Sequence, residues 1–221
     1  MIQARQITHG KIGIRPMFDS ISLNVPRGAR IGILATPGSG KSTLARILSG
    51  LQKPDYGRVH LTGDVSWPIG FAGFLHPHLS IEQNFSVLAR LKSLDPARYL
   101  AQCLAFADIG VSPRLIARDL TPTERALLAY ACAVMLRWDC LIADEIITVG
   151  NSSLRAKCDA MLESLPSETG LVFLSRNPTH IKRYCDHYLV LLNGRLRPCP
   201  DLQAGLDALT LSQELEGLAY A

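Results

Sequence analysis

The segment that most narrows what this chain can fold into is Ala35-Thr36-Pro37-Gly38-Ser39-Gly40-Lys41-Ser42-Thr43. The apolar run 31–34 ahead of it reads as a buried strand, and 42–48 behind it reads as a helix stopped by Gly50. Strand, Gly-rich loop and helix in that order make a cradle for phosphate. Glycines let main-chain N–H groups close on the anion, a lysine reaches the outer phosphates, and a hydroxyl residue holds Mg²⁺. Gly38, Gly40, Lys41 and Ser42 supply these parts in sequence, and Thr36, Pro37, Ser39 and Thr43 complete the set of nucleotide-contacting positions. Two departures stand out: Ala35 occupies a position where the strict pattern has Gly, and Pro37 removes one N–H from the loop.

The rest of the chain continues the alternation. Residues 21–25 alternate as a strand, 26–28 turn, and 51–57 turn again into short strands at 58–61 and 64–67. Residues 79–118 read as mostly helical with breaks at Pro96 and Pro113, and a long helix starts near Thr121. Strands follow at 140–143, 171–174 and 188–192, the last ending at Asn193-Gly194, with a helix at 154–165 and a weakly amphipathic helix from Asp201. Short apolar strands alternating with helices predict an α/β domain with a mostly parallel sheet. The helix-rich block at about 79–136, lying between two core strands, reads as an inserted helical subdomain, and about 195–221 as a C-terminal tail; the whole, 1–221, is one domain.

Composition narrows the setting. With 48% hydrophobic and 19% charged residues the chain is not disordered. Its longest charge-free apolar stretch, 126–136, is 11 residues, against roughly 20 for a spanning helix. No cleavable leader is visible around Arg5, Lys11 and Arg15, so the expectation is a soluble intracellular domain. Residues 1–60 carry nine Lys/Arg against two Asp/Glu, net +7. That excess overlaps the phosphate loop and has no interleaved aromatics, which argues against nucleic acid as a partner. Six cysteines without a Cys-x-x-Cys pair read as small core residues in a reducing compartment.

A second chemical signal lies at 141–145, an apolar strand ending in Asp144-Glu145. Asp144 suits the Mg²⁺ shell together with Ser42, and Glu145 suits orienting or deprotonating an attacking water.

Around the loop, residues 31–50 followed by Lys53-Pro54-Asp55-Tyr56-Gly57 resemble ATP-binding-cassette (ABC) ATPases, and the likeness runs over nearly the whole chain. Within that superfamily the sequence is most similar to ATP-binding subunits of bacterial capsular-polysaccharide exporters. The specific marks are Ser66-Trp67-Pro68-Ile69-Gly70-Phe71, residues 79–84, Asp144-Glu145 leading to Val149-Gly150, Lys157-Cys158 and Ile181-Lys182-Arg183-Tyr184-Cys185-Asp186. The resemblance implies a P-loop NTPase core with N-terminal antiparallel strands and an inserted α-helical subdomain. It implies ATP and Mg²⁺ as cofactors and hydrolysis coupled to export of a long acidic glycan. It also implies a polytopic permease partner, a homodimer or a pairing with a second ATPase subunit, and a peripheral position on the cytoplasmic face of the bacterial inner membrane.

Several residues depart from that family. Its signature helix should open on a Ser/Gly/Gly-type sequence that meets the γ-phosphate of the opposite subunit; here Leu120-Thr121-Pro122-Thr123-Glu124 stands there. On one reading Glu124 faces that phosphate, with repulsion of roughly 3 kcal/mol at 5 Å and an effective dielectric near 20. On the other, Thr121-x-x-Glu124 with Pro122 is a capping box and Glu124 folds back on Thr121. The family's switch histidine is replaced in Ser175-Arg176, where Arg176 offers a fixed cation to a γ-phosphate but no proton relay; His180, one helical turn on, reads as a surface residue. Lys11 stands where an adenine-stacking aromatic belongs, with His9 as a weak replacement, Phe71 stands in the metal-linking loop, and Asn151 replaces an acidic residue. An intact half site (Lys41, Ser42, Asp144, Glu145) beside an eroded trans and sensing half, where Arg176 replaces the histidine, suggests slow hydrolysis. The alternative is a non-hydrolysing nucleotide-binding subunit; a small-molecule kinase is disfavoured, because no arginine-rich lid or acceptor site is visible.

Overall fold

Residues 31–35 are apolar at every inward and outward position because the strand they belong to, β3 (Arg30–Ala35), is covered on both faces. The computed structural model describes residues 1–12, 15–69, 73–145 and 152–219. In it β3 is an inner strand of a six-stranded sheet, flanked in parallel by β7 (Gly170–Ser175) and β8 (His187–Leu192). β6 (Cys140–Asp144) pairs in parallel with β7, and β5 (Val65–Ile69) and β9 (Arg195–Cys199) are the outer strands, giving the order β5-β6-β7-β3-β8-β9. The mixed, mostly parallel sheet expected from the alternation of elements is present. The loop that follows β3 therefore opens at the carboxyl ends of parallel strands, where open α/β sheets bind ligands.

A second, antiparallel sheet is built from β1 (Ile2–Ile12), β2 (Arg15–Val25) and β4 (Tyr56–Leu61), in the order β2-β1-β4. Its inner residues Ile2, Ile7, Phe18, Ile21 and Val25 form one buried cluster with Ile33 of β3, Ile142 of β6, Val172 of β7, and Leu44, Ile47 and Leu48 of α1 (Lys41–Leu48). The helix that follows the phosphate loop is thereby anchored by three apolar side chains. The resemblance implies N-terminal antiparallel strands, but the residue pattern does not mark β1, and the reason is local. Ile2 and Ala4 point inward, the register then shifts, Gln6 takes φ +51°, and Ile7 is the next inward residue, so the period-2 pattern slips. β9 was also missed. Asn193 and Gly194 both have positive φ and make the two-residue turn of a hairpin, with Leu192 opposite Arg195. Arg195, Arg197 and Pro198 gave β9 no apolar signal, as befits an outer strand. The short α6 (Pro178–Tyr184) and the tail helix α7 (Leu202–Ala219) complete this unit.

Backbone contacts divide the chain into two compact units, 1–68 with 138–145 and 166–221, and 69–137 with 146–165. The second holds α2 (Ile81–Leu91), α3 (Pro96–Ala107), a 3-10 turn at Ala117–Asp119, α4 (Pro122–Val134) and α5 (Ser152–Glu163). Pro96 is the first residue of α3, capped by Asp95, and Pro113 lies in the connection after α3, so helix breaks fall at both prolines as the sequence suggests. Tyr99 donates its hydroxyl to Cys132 O at 2.8 Å, tying α3 to α4, and burial pushes the Tyr99 phenol and the Cys103 thiol up. Five of the six cysteines are buried and all six are free; Cys199 is half-buried.

Asn84, 5% exposed, organises the start of α2. Its Oδ1 accepts from His76 N at 2.7 Å, and its Nδ2 donates to the carbonyls of His76, Leu79 and Ser80. Asn84→Ala is expected to lower unfolding stability by about 2 kcal/mol, because a buried N–H and several carbonyls lose their partner together. Urea unfolding measures this.

Candidate functional site

The loop after β3 closes on one carbonyl. Thr36 O receives Ser39 N at 3.4 Å, Ser39 Oγ at 2.7 Å and Lys41 Nζ at 3.2 Å. Gly38 and Gly40 have φ of +77° and +90°, a backbone that a side chain resists. A Cβ at Gly40 would also meet the Met17 sulfur and the Phe18 ring at 2.8–3.0 Å. These two β2 residues, unmarked by any sequence pattern, press the loop into shape. Among the described residues no side chain caps α1, and its first turn carries no acid. Its leading N–H groups and Lys41 thus present positive charge to one place. Ala35 is buried at the end of β3 and ends the strand without a glycine.

Thr43, at the loop's end, accepts from Arg46 Nη2 at 3.3 Å. Arg46 Nε donates to Gln52 Oε1 at 3.1 Å, and Gln52 Nε2 lies 2.7 Å from His9 Nε2. Because arginine only donates, Gln52 turns its amide nitrogen to His9, whose Nε2 must accept. His9 is thus edge-bound to Gln52 and beside Asp55 at 3.4 Å. Arg46 and Gln52 were not among the expected site residues. Phe71, Val149-Gly150 and Asn151 lie outside the described residues, as does the Lys11 side chain.

Asp144, at the end of β6, is half-buried. Burial raises its pKa, and a hydrogen bond with Ser42 and the charge of Lys41 oppose that rise. Ser42 and Asp144 thus share one hydrogen bond at the mouth of the loop, as paired hard oxygens. Glu145 follows with φ +66°. Its N–H donates to Leu174 O at 2.9 Å. Its Oε2 accepts from Ser175 Oγ at 2.7 Å, and its Oε1 from Arg176 N at 3.0 Å. Arg176 Nε lies 3.4 Å and Lys41 Nζ 3.9 Å from the same oxygen. Lys41, Ser42, Asp144, Glu145 and Arg176, dispersed over 136 residues of sequence, converge here. His180 does not join them; it sits on α6 with Nε2 at 3.4 Å from Asn177 Nδ2.

In the second unit the two readings of Glu124 are decided. Thr121 N donates to Glu124 Oε2 at 2.9 Å, Thr121 Oγ to the same oxygen at 2.8 Å, and Glu124 N to Thr121 Oγ at 3.2 Å. The carboxylate folds back, a capping box with Pro122 at the first helical position. Hydrogen bonds from the Thr121 main chain and side chain lower the Glu124 pKa. Its folded value lies below the ordinary one, so the cap's stability is full above the ordinary glutamate range and is lost as pH falls through the depressed value. Glu124→Ala is expected to flatten the melting temperature against pH below about pH 4, a change that a thermal-denaturation series reads.

The family model for ABC transporter matches residues 18–148. The ATP-binding protein BexA of Haemophilus influenzae is 30% identical over 88% of this chain and 89% of its own length. The capsule polysaccharide export ATP-binding protein CtrD of Neisseria meningitidis serogroup B is 30% identical over 86% of this chain and 88% of its own. Among solved structures, a dimeric ATP-binding cassette in a post-hydrolysis state with ADP and Pi superposes with a TM-score of 0.73 at 20% identity, covering 91% of this chain and 99% of that one. This structural likeness speaks for the fold, and the sequence matches speak for the family. The chain belongs to the ABC transporter family, as an ATP-binding, ABC-type ATPase subunit.

Proposed function

We propose that this chain powers export of a capsular or related cell-surface polysaccharide, with two copies, or one copy and a second ATPase subunit, beneath a polytopic permease. The observation that carries the ATPase chemistry is the convergence of Lys41, Ser42, Asp144 and Glu145 on the mouth of one Gly-rich loop. The substrate class rests on the relatives, which include polysialic acid, O-antigen and teichoic acid export ATP-binding proteins. Among the described residues no helix is long and apolar enough to cross a membrane; a peripheral position on the cytoplasmic face of the inner membrane accords with that.

In the proposed chemistry, the N–H groups from Gly38 to Thr43 and the Lys41 ammonium bind the phosphates of ATP, with Thr36, Pro37 and Ser39 shaping the loop. Ser42 and Asp144, a hydroxyl and a desolvated carboxylate in hydrogen-bond contact, fit a hard divalent cation. Mg²⁺ there would neutralise charge on the phosphate oxygens. Glu145 orients the attacking water and takes its proton, and Arg176 sets a fixed positive charge beside that carboxylate.

Hydrolysis is expected to be slow, because Glu124 already occupies the leading N–H and hydroxyl of the α4 cap and Arg176 cannot relay a proton. Those same residues favour a second reading, a non-hydrolysing subunit that pairs with a competent ATPase. Mg²⁺-dependent ATP turnover by the purified chain, alone and with its membrane partner, separates the two. No turnover above background in either setting would refute the first.

A further inference from the structure

We propose that Ser175 is the positioning residue for the Glu145 carboxylate, a role that rests on the reading of Glu145 as the group that activates water. Three successive residues at the end of β7 hold Glu145. Leu174 O takes its N–H at 2.9 Å, Ser175 Oγ meets Oε2 at 2.7 Å, and Arg176 N meets Oε1 at 3.0 Å. The parallel register, with Asp144 opposite Leu174, brings these three alongside the residue that follows Asp144. Glu145 has φ +66°, a conformation that a non-glycine residue keeps only when its surroundings enforce it.

Ser175 is the member of this set with chemistry to spare. It is fully buried, and its oxygen also accepts from Asn177 N at 3.0 Å. An amide N–H can only donate and an ionised carboxylate can only accept, so the hydroxyl proton of Ser175 is committed to Glu145. The 2.7 Å length is that of a charge-assisted O–H···O⁻ bond. Asn177 in turn caps α6 by accepting from Thr179 N at 2.9 Å. The hydroxyl is therefore fixed at both ends, to the start of α6 and to the carboxylate. Arg176 differs in kind: its side chain is 60% exposed and 3.4 Å away, and such pairs orient weakly. Its main-chain N–H, which any residue but proline would supply, holds the second oxygen.

Single-turnover ATP hydrolysis with Mg²⁺, run beside nucleotide binding and thermal melting, tests this. Ser175→Ala is expected to lower the hydrolysis rate about 10- to 100-fold, with ATP affinity within about twofold of wild type and Ser175→Thr recovering most of the rate. Placed in a Glu145→Gln background, Ser175→Ala should cost less than about twofold more, because the carboxylate it orients is gone. A merely structural serine would cost the same factor in both backgrounds, and that result overturns the proposal. So does wild-type hydrolysis by Ser175→Ala. If Ser175→Ala does not fold, the near-isosteric Ser175→Cys is read in its place, with the same criteria and a loss of at least about tenfold expected. Wild-type turnover by Glu145→Gln alone would instead refute the reading of Glu145, a failure distinct from that of Ser175.

Discussion

Lys41→Ala is expected to weaken ATP binding by about 100- to 1000-fold, on the order of 3–4 kcal/mol, while the fold survives. The size follows from where the ammonium sits. Its side chain is 11% exposed, it rests on Thr36 O at 3.2 Å, and it faces the Glu145 carboxylate at 3.9 Å. A phosphate arriving at the α1 N-terminus meets this one desolvated cation together with N–H groups that no side chain caps among the described residues. Removing it leaves Glu145 beside the phosphates with less positive charge to offset it, so repulsion adds to the lost attraction. The α1 anchors Leu44, Ile47 and Leu48 are untouched, so the melting temperature should stay within a few degrees of wild type. Equilibrium binding of a fluorescent ATP analogue measures the effect, and affinity within threefold of wild type would refute the placement of phosphate at this loop.

Glu145→Gln is expected to lower the hydrolysis rate by about 100- to 10,000-fold with little change in ATP affinity, the split that marks loss of a general base rather than of a binding group. The amide keeps nearly the shape of the carboxylate but cannot take the proton. It also turns a donor toward one of two donors, Ser175 Oγ and Arg176 N, that now address the two oxygens. Rate and affinity measured on one preparation separate this outcome from simple misfolding. An unchanged rate would refute the reading of Glu145 as the group that takes the proton from water.

How much of this was legible in the residues depends on the range of the physics involved. The loop at 35–43 and the strand ending in Asp144-Glu145 were legible because their chemistry is local: glycines where φ is positive, a lysine and hydroxyls at fixed spacing, and apolar runs where parallel strands are covered on both faces. The Thr121–Glu124 capping box was legible for the same reason, although the sequence left its competitor open. β1 was not, because a register shift at Gln6 breaks its alternation, and β9 was not, because an outer strand need not be apolar. Asn193-Gly194 did carry a hairpin signal, and reading it only as a strand end lost β9.

The amino-acid sequence by itself determined the α/β class, the phosphate loop and the identity of the acidic pair, since each depends on residues within a few positions of one another. Only the tertiary structure decided what holds them. Met17 and Phe18 press on Gly40 from another sheet, Ser42 reaches Asp144 across about 100 residues of chain, and Ser175 grips Glu145 from the neighbouring strand. Those partnerships arise from strand order and register, which set residues far apart in sequence side by side. A hydroxyl such as that of Ser175 acquires its role only when burial removes water and leaves one carboxylate within reach.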